Sequence, residues 1–504
     1  MNKSETSLGH RYLYKLIANI ISAIVGIIIM GIVPSSLGPV AYGKFTYIQQ
    51  FFSQLFNFLD FGTSIAFFTK LSANAKRKEL IYFYMIISIM ILFISLIIIY
   101  IINYFGYLNN FLPNIQLTYV YYGLIFGFLT WFSLIYIKIS DAYALTVNVE
   151  VLKIVYKVLS LILLFLIIKL YILTLNNFLI FQICTLLLFI IVLNIFLIKK
   201  GILSNIHKLD ISFSRLISIF YEFLIYSRPL AFHSIVVFII GILDIWLLQS
   251  ISGSSEMGIY GLAFQISTLG FIFTNAMIPI ITREFSLDYE KKNFIKINKN
   301  FHKYIPMLFS LATIFTMLTI FQSKNLILLF TDERFLNAQS SIIIMSIYFI
   351  YLMYIKLISS IFFAYSKTIM YRDIGLLYMA IGIVFSLGFV YIFKLGALGL
   401  SIKMLITNII GMLLMLFNLK KILNINILYL IKQQVLSMLT FLLIGIVTYF
   451  IVFSIDNIVM NFLVYCILYI SISTIVILKY PSLLSLEKYE IKEFIIKVKA
   501  KFNV

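Results

Sequence analysis

Ser36-Leu37-Gly38-Pro39-Val40-Ala41-Tyr42-Gly43-Lys44-Phe45 stands between two long apolar runs, and Ile251-Ser252-Gly253-Ser254-Ser255-Glu256-Met257-Gly258-Ile259-Tyr260 stands between two more. Shifting one copy onto the other by 215 residues pairs Gly38 with Gly253, Gly43 with Gly258, Phe45 with Tyr260, Gln50 with Gln265 and Asp60 with Asn275. Each copy is a glycine turn feeding a helix with polar residues at matching places. Repetition at such a distance marks an internal duplication, and duplicated membrane halves with a site at the repeat interface are a habit of secondary transporters. The motif predicts a two-lobed carrier.

Composition sets the solvent. With 62% hydrophobic and 12% charged residues among 504, the chain departs from soluble domains, which run near half apolar and about a quarter charged. The excess of 39 Lys+Arg over 19 Asp+Glu does not indicate nucleic acid, because the cations sit in short connections between apolar segments instead of on one solvated face. Cys184 and Cys466 both lie within apolar stretches and offer no disulfide framework. The first apolar run is followed by the repeat motif and not by a small-residue cleavage site, so it is expected to be a retained helix.

Apolar runs predict helices near 14–33, 45–68, 80–102, 117–138, 147–168, 176–198, 228–250, 258–281, 304–321, 340–363, 373–393, 397–418, 434–453 and 461–478. The expected fold is an all-α integral membrane protein of about 14 transmembrane helices. With the N-terminus in the cytoplasm, the inner loops collect Lys70, Lys76, Arg77, Lys78, Lys199, Lys200, Lys208, Arg215 and the lysines from Lys291 to Lys303. The outer side keeps Lys44, Lys169, Lys324, Arg334 and Lys394. That bias predicts both termini in the cytoplasm. Six helices separate the motif copies, so the repeats are parallel: an N-lobe over 1–208, a C-lobe over 209–433, two extra helices over 434–478 and a tail over 479–504. The tail spaces Ile491, Phe494, Ile495 and Val498 by three or four with lysines between, as an interfacial helix does.

Chemistry-bearing candidates are few. Gly38 to Lys44 nearly spells a phosphate-binding loop, but Phe45 stands where a magnesium ligand belongs. His10, His207, His233 and His302 are dispersed, so no catalytic residue, metal site or cofactor is expected. Ionisable residues inside apolar spans by default mark pathways, or else snorkel or pair. Lys153 and Lys157 share a helix face with Glu150; Lys356 and Lys403 lie six or seven residues from a helix end; each either lines a cavity or reaches an interface. Arg11 and Lys15 are topology anchors or a mouth for anionic headgroups. Asp60 and Asp244 are structural caps or coupling carboxylates. Tyr119, Tyr121, Tyr122, Trp131 and Tyr136 read as interface belt and packing, or as platforms for sugar rings.

Leu37-Gly38-Pro39 with Tyr42-Gly43 and Phe45, then Leu59-Asp60-Phe61-Gly62-Thr63-Ser64-Ile65-Ala66 before a basic loop, resembles the start of the polysaccharide-biosynthesis flippases, the Wzx-type O-antigen or capsule oligosaccharide translocases of the MATE-like superfamily. Ile242-Leu243-Asp244-Ile245-Trp246 before Gly253, Gly258-Ile259-Tyr260, and Leu395-Gly396-Ala397-Leu398-Gly399-Leu400 resemble the family's second half. The resemblance implies two six-helix bundles around a central cavity that opens alternately to either side. It also implies an undecaprenyl-diphosphate-linked oligosaccharide as substrate, a monomer in the bacterial cytoplasmic membrane, and a polysaccharide polymerase and chain-length regulator as partners. Lys153, Lys157, Lys356, Lys403, Arg11 and Lys15 are then expected to hold the diphosphate. The alternatives are an ion-coupled small-molecule exporter of the same fold and a polytopic polymerase or glycosyltransferase. An enzyme of that kind needs a larger outer loop with paired acids than the connections around 103–116 and 322–339 provide.

Overall fold

The computed structural model describes residues 8–204, 212–268, 287–365, 367–423 and 425–486, with isolated residues at 278, 281–282, 284–285 and 489. The described residues are built from helices. In order these are α1 (Leu8–Leu59), α2 (Thr63–Ala73), α3 (Lys78–Tyr104), α4 (Leu108–Phe111), α5 (Leu117–Ala142), α6 (Thr146–Leu170), α7 (Leu175–Lys199), α8 (Phe213–Leu247), α9 (Gly253–Ser267), α10 (Phe294–Phe321), α11 (Ser323–Phe330), α12 (Ala338–Ala364), α13 (Thr368–Ser386), α14 (Gly396–Leu419), α15 (Ile427–Val452) and α16 (Ile458–Lys479).

Two continuous helical segments, α1 and the run from α8 into α9, each hold two spans. Helix α1 has 52 residues, and at a 1.5 Å rise such a length far exceeds a hydrocarbon core of about 30 Å. It breaks at Gly38, with φ 76° and ψ 167°, a backbone region that is essentially closed to residues with a side chain. Pro39 follows as the first residue of the next span, where its missing N–H costs no helical hydrogen bond. The second copy of the motif does the same: α8 passes through a π-helical turn, Leu248–Ser252, and breaks at Gly253, with φ 83° and ψ 178°. Among the described residues 12 helical segments are long and apolar enough to cross a membrane, and dividing Ile24–Leu59 and Ser234–Ser267 at these glycines gives the fourteen spans expected.

The second span differs from its expected course. It begins at Pro39, not near residue 45, and is interrupted at Asp60-Phe61-Gly62, where Phe61 and Gly62 have φ 46° and 76°, before resuming as α2. An acceptor side chain at this point competes with the helical ladder for the next N–H groups.

Contacts divide the chain into two compact units, residues 1–258 and 259–504. In the first, the second half of α1 packs against α5, α6, α7 and α8. Phe45, Phe52 and Phe56 meet Phe126, Phe128, Trp131 and Phe178 of α5 and α7, with Phe45 and Phe178 edge to face at 4.8 Å. Gly123 and Gly127 on α5 leave room for the Phe52 ring. In the second unit α12 and α14 are closely packed, and a core of Phe301, Phe309, Tyr354, Leu357, Met415 and Leu416 joins them to α10. The extra pair α15 and α16 docks on α10 through Phe441, Tyr465 and Tyr469 and through a Ser310–Ser437 hydroxyl contact of 2.7 Å. Their outer faces, like those of α3 and α6, leave leucines and isoleucines exposed, as lipid-facing helices do. The predicted amphipathic tail falls mostly outside the described residues.

Candidate functional site

Asp60 sits at the break before α2 and is buried. Its Oδ1 accepts from the Ser64 amide (3.0 Å), Thr63 Oγ1 (3.1 Å) and Tyr84 Oη (2.8 Å), and its Oδ2 accepts from Ser64 Oγ (2.7 Å). Lys138 Nζ then donates to Ser64 Oγ at 2.6 Å. The carboxylate therefore caps the first turn of α2 and is joined to a cation through one hydroxyl. Lys138 stands at the end of the span expected over 117–138, but the helix runs a further turn, Ile139 to Ala142, which keeps the lysine within it.

The expected substrate-binding cations fall into unlike surroundings. Lys153 pairs with the buried Glu150 along α6, Nζ to Oε2 3.3 Å. Lys157 lies a turn further on, its Nζ 5.8 Å from the Tyr156 ring centroid. Lys356 is exposed on α12, a helix buried on most of its surface. Lys403 is 3% exposed on α14, its stem packed against α13 where Gly382 has no side chain. Asp244 is buried near the end of α8. Arg11 and Lys15 are on α1, and their side chains lie outside the described residues. The structure thus joins Lys153 to Glu150, places Lys157 beside them, and sets Lys356 and Lys403 on packed neighbours, α12 and α14.

A charge cluster was not anticipated. Glu222, on the first turns of α8, accepts from Arg77 NH1 (3.1 Å), Arg77 NH2 (2.9 Å) and Lys70 Nζ (2.8 Å), while Glu79 pairs with Arg215 (2.8 Å) and Arg77 (3.4 Å). Cations read only as topology signals here tie the α2–α3 loop to α8. The sequence signal was an acid isolated in a long basic and apolar stretch, with no other between Asp210 and Asp244. The paired guanidinium of Arg77, and after it Lys70, holds the Glu222 carboxyl at about 2, below its ordinary 4.5. A depressed carboxylate stabilises the fold fully above its ordinary value and loses that contribution as pH falls towards the folded one. Because the cluster is half-exposed, Glu222→Gln is expected to cost only about 1 kcal/mol. In thermal unfolding the gap between wild type and variant should be constant above pH 4.5 and narrow below it. A gap unchanged down to pH 3 refutes the assignment.

Among the described residues no group of His, Cys, Asp and Glu has the geometry of a metal site.

The family model for polysaccharide biosynthesis proteins matches residues 8–285, and the MatE model matches residues 229–393. Among solved structures, the lipid II flippase MurJ in an inward closed conformation superposes with a TM-score of 0.68 at 16% identity, covering 93% of this chain and 98% of its own. An inward-facing multidrug resistance MATE transporter of the MOP superfamily gives 0.56 at 18% identity over 82% of this chain and 95% of its own. The Vibrio cholerae MATE transporter VcmN in its bent form gives 0.53 at 16% identity over 86% and 100%. No curated protein matches the sequence significantly.

Proposed function

The chain belongs to the polysaccharide biosynthesis protein family, and on that premise we propose that it flips an undecaprenyl-diphosphate-linked oligosaccharide across the bacterial cytoplasmic membrane by alternating access, with no covalent chemistry. The observation that carries this reading is the reach of the likeness to a lipid II flippase. Coverage of 93% of the chain is too great to omit both α15 and α16, whereas coverage of 82% by a multidrug transporter is not. A drug exporter remains the second reading, favoured by the MatE match over residues 229–393.

The chemistry agrees with the first reading. A diphosphate needs cations held in low dielectric, where each is worth more than in water. Lys356, Lys403, Lys157 and Lys153, with Arg11 and Lys15 at the mouth, are the proposed contacts. The glycan needs a wet cavity, and the polyprenyl tail stays in lipid. Asp60 is assigned a bracing role on its four accepted hydrogen bonds, which leaves Asp244 as the carboxylate proposed for coupling. Both termini are placed in the cytoplasm on the loop charges.

Purified protein in vesicles loaded with fluorescent lipid-linked oligosaccharide tests the proposal. Flipping is expected, and a quaternary-ammonium drug in place of the lipid is not expected to cross. Drug transport without lipid flipping would falsify the cargo assignment. Labelling of Asn74→Cys by an impermeant maleimide from outside intact cells overturns the orientation.

A further inference from the structure

The two copies of the glycine motif touch each other. The Ser254 carbonyl lies against Gly43, and the Pro39 carbonyl lies against Gly258. The 215-residue shift that pairs the motifs turns Pro39 into Ser254 and Gly43 into Gly258, so the contact is reciprocal, as in an isologous interface. A Cβ on Gly43 would overlap the Ser254 carbonyl and come 2.8 Å from the Gly258 nitrogen. One on Gly258 would overlap the Pro39 carbonyl and come 3.1 Å from the Gly43 nitrogen. Every obstacle is backbone, which no rotamer change relieves.

A second feature spans the same place. The connection over residues 105–116, which contains α4, is held by Tyr47 Oη donating to the Phe111 carbonyl (2.9 Å), Trp246 Nε1 to the Asn110 carbonyl (2.6 Å) and Gln249 Nε2 to the Pro113 carbonyl (3.1 Å). Tyr47 belongs to the helix after the first turn, while Trp246 and Gln249 belong to the turns that enter the second. The strap is therefore fastened from both copies of the motif. Gln249 also donates to Ser254 Oγ at 2.8 Å, beside the glycine contact.

We propose that the Gly43–Gly258 contact is the gate at this end of the carrier, the outer end in the proposed orientation, and that the 105–116 strap is its latch. The inference rests on the alternating-access reading above. A backbone-to-backbone contact seals tightly yet interlocks no side chains, so it can part as a unit. The directional bonds that must break on opening are those from Trp246 and Gln249, since Tyr47 moves with the strap. A carrier shifts between its two forms by whatever energy distinguishes them, so weakening either the seal or the latch should populate the form open at this end.

The test uses the full chain with Cys184→Ser and Cys466→Ser and the buried Ser254→Cys as reporter, labelled by impermeant maleimide in both intact cells and inverted vesicles. Trp246→Phe keeps the ring and removes the donor, and should raise labelling from outside about tenfold. Gly43→Ala should raise it as well and slow flipping about tenfold, because the seal no longer closes. Gly26→Ala, whose added carbon meets nothing within 4 Å, should leave both unchanged. Labelling of Trp246→Phe at the parental rate overturns the latch, and monodisperse Gly43→Ala with parental labelling and flipping overturns the gate. If Gly43→Ala does not fold, Trp246→Phe decides alone. Labelling that responds while no lipid-linked oligosaccharide crosses keeps the gate and refutes the cargo.

Discussion

Asp60→Ala is expected to destabilise the protein by about 3–5 kcal/mol, the largest loss of stability predicted for one residue here. The substitution removes the acceptor of four hydrogen bonds at once. It leaves the Tyr84 hydroxyl, whose ring is buried against Phe67 and Trp131, with Thr63 Oγ1 at 3.0 Å in place of two partners, and leaves Lys138 facing Ser64 without the anion behind it. In a bilayer no water replaces those partners, so each stranded group costs its desolvation. Asp60→Asn keeps one carbonyl oxygen but turns the other acceptor into a donor aimed at hydroxyls, and should cost about 1–3 kcal/mol. Combined with Lys138→Met it should lose less than the two single changes together, since the pair act through Ser64. Denaturant or thermal unfolding in micelles measures all of these. If Asp60→Asn unfolds like wild type while flipping ceases to respond to a pH gradient, Asp60 is a coupling residue and the bracing assignment is wrong.

The second large effect is on transport. Lys356→Gln should slow flipping by about 10- to 100-fold, the factor that corresponds to the 1.5–3 kcal/mol of a hydrogen bond to a charged group. Lys356→Arg should preserve most of the rate, because a diphosphate accepts either cation. Lys356 is singled out because it is exposed on a helix whose surroundings are otherwise buried, Ser359 and Ser360 among them. Lys153→Gln should behave differently. Its ammonium is engaged by Glu150, so the variant uncovers a buried carboxylate and loses stability more than rate. Initial flipping rates in vesicles, normalised to inserted protein, separate the two. A Lys356→Gln variant that flips at the wild-type rate removes this lysine from the mechanism.

The sequence by itself determined the architecture. Hydrophobic run length fixes span number because the bilayer thickness is constant, and the twin glycine motifs mark the two places where one long helix must be read as two spans. It also determined the family, since Leu37 to Phe45 and Leu59 to Ala66 lie inside the matched region. What only the tertiary structure decided is the role of each charge. Asp60 and Lys138 are 78 residues apart and Arg77 and Glu222 are 145 apart, so neither partnership leaves any periodic trace along the chain. The same holds for Trp246 and the strap carbonyl of Asn110, 136 residues away. Local patterns report the solvent each residue meets; whether a buried charge braces, binds or gates depends on which distant groups the fold brings within hydrogen-bond reach, because those interactions act over a few ångströms and carry no register in sequence.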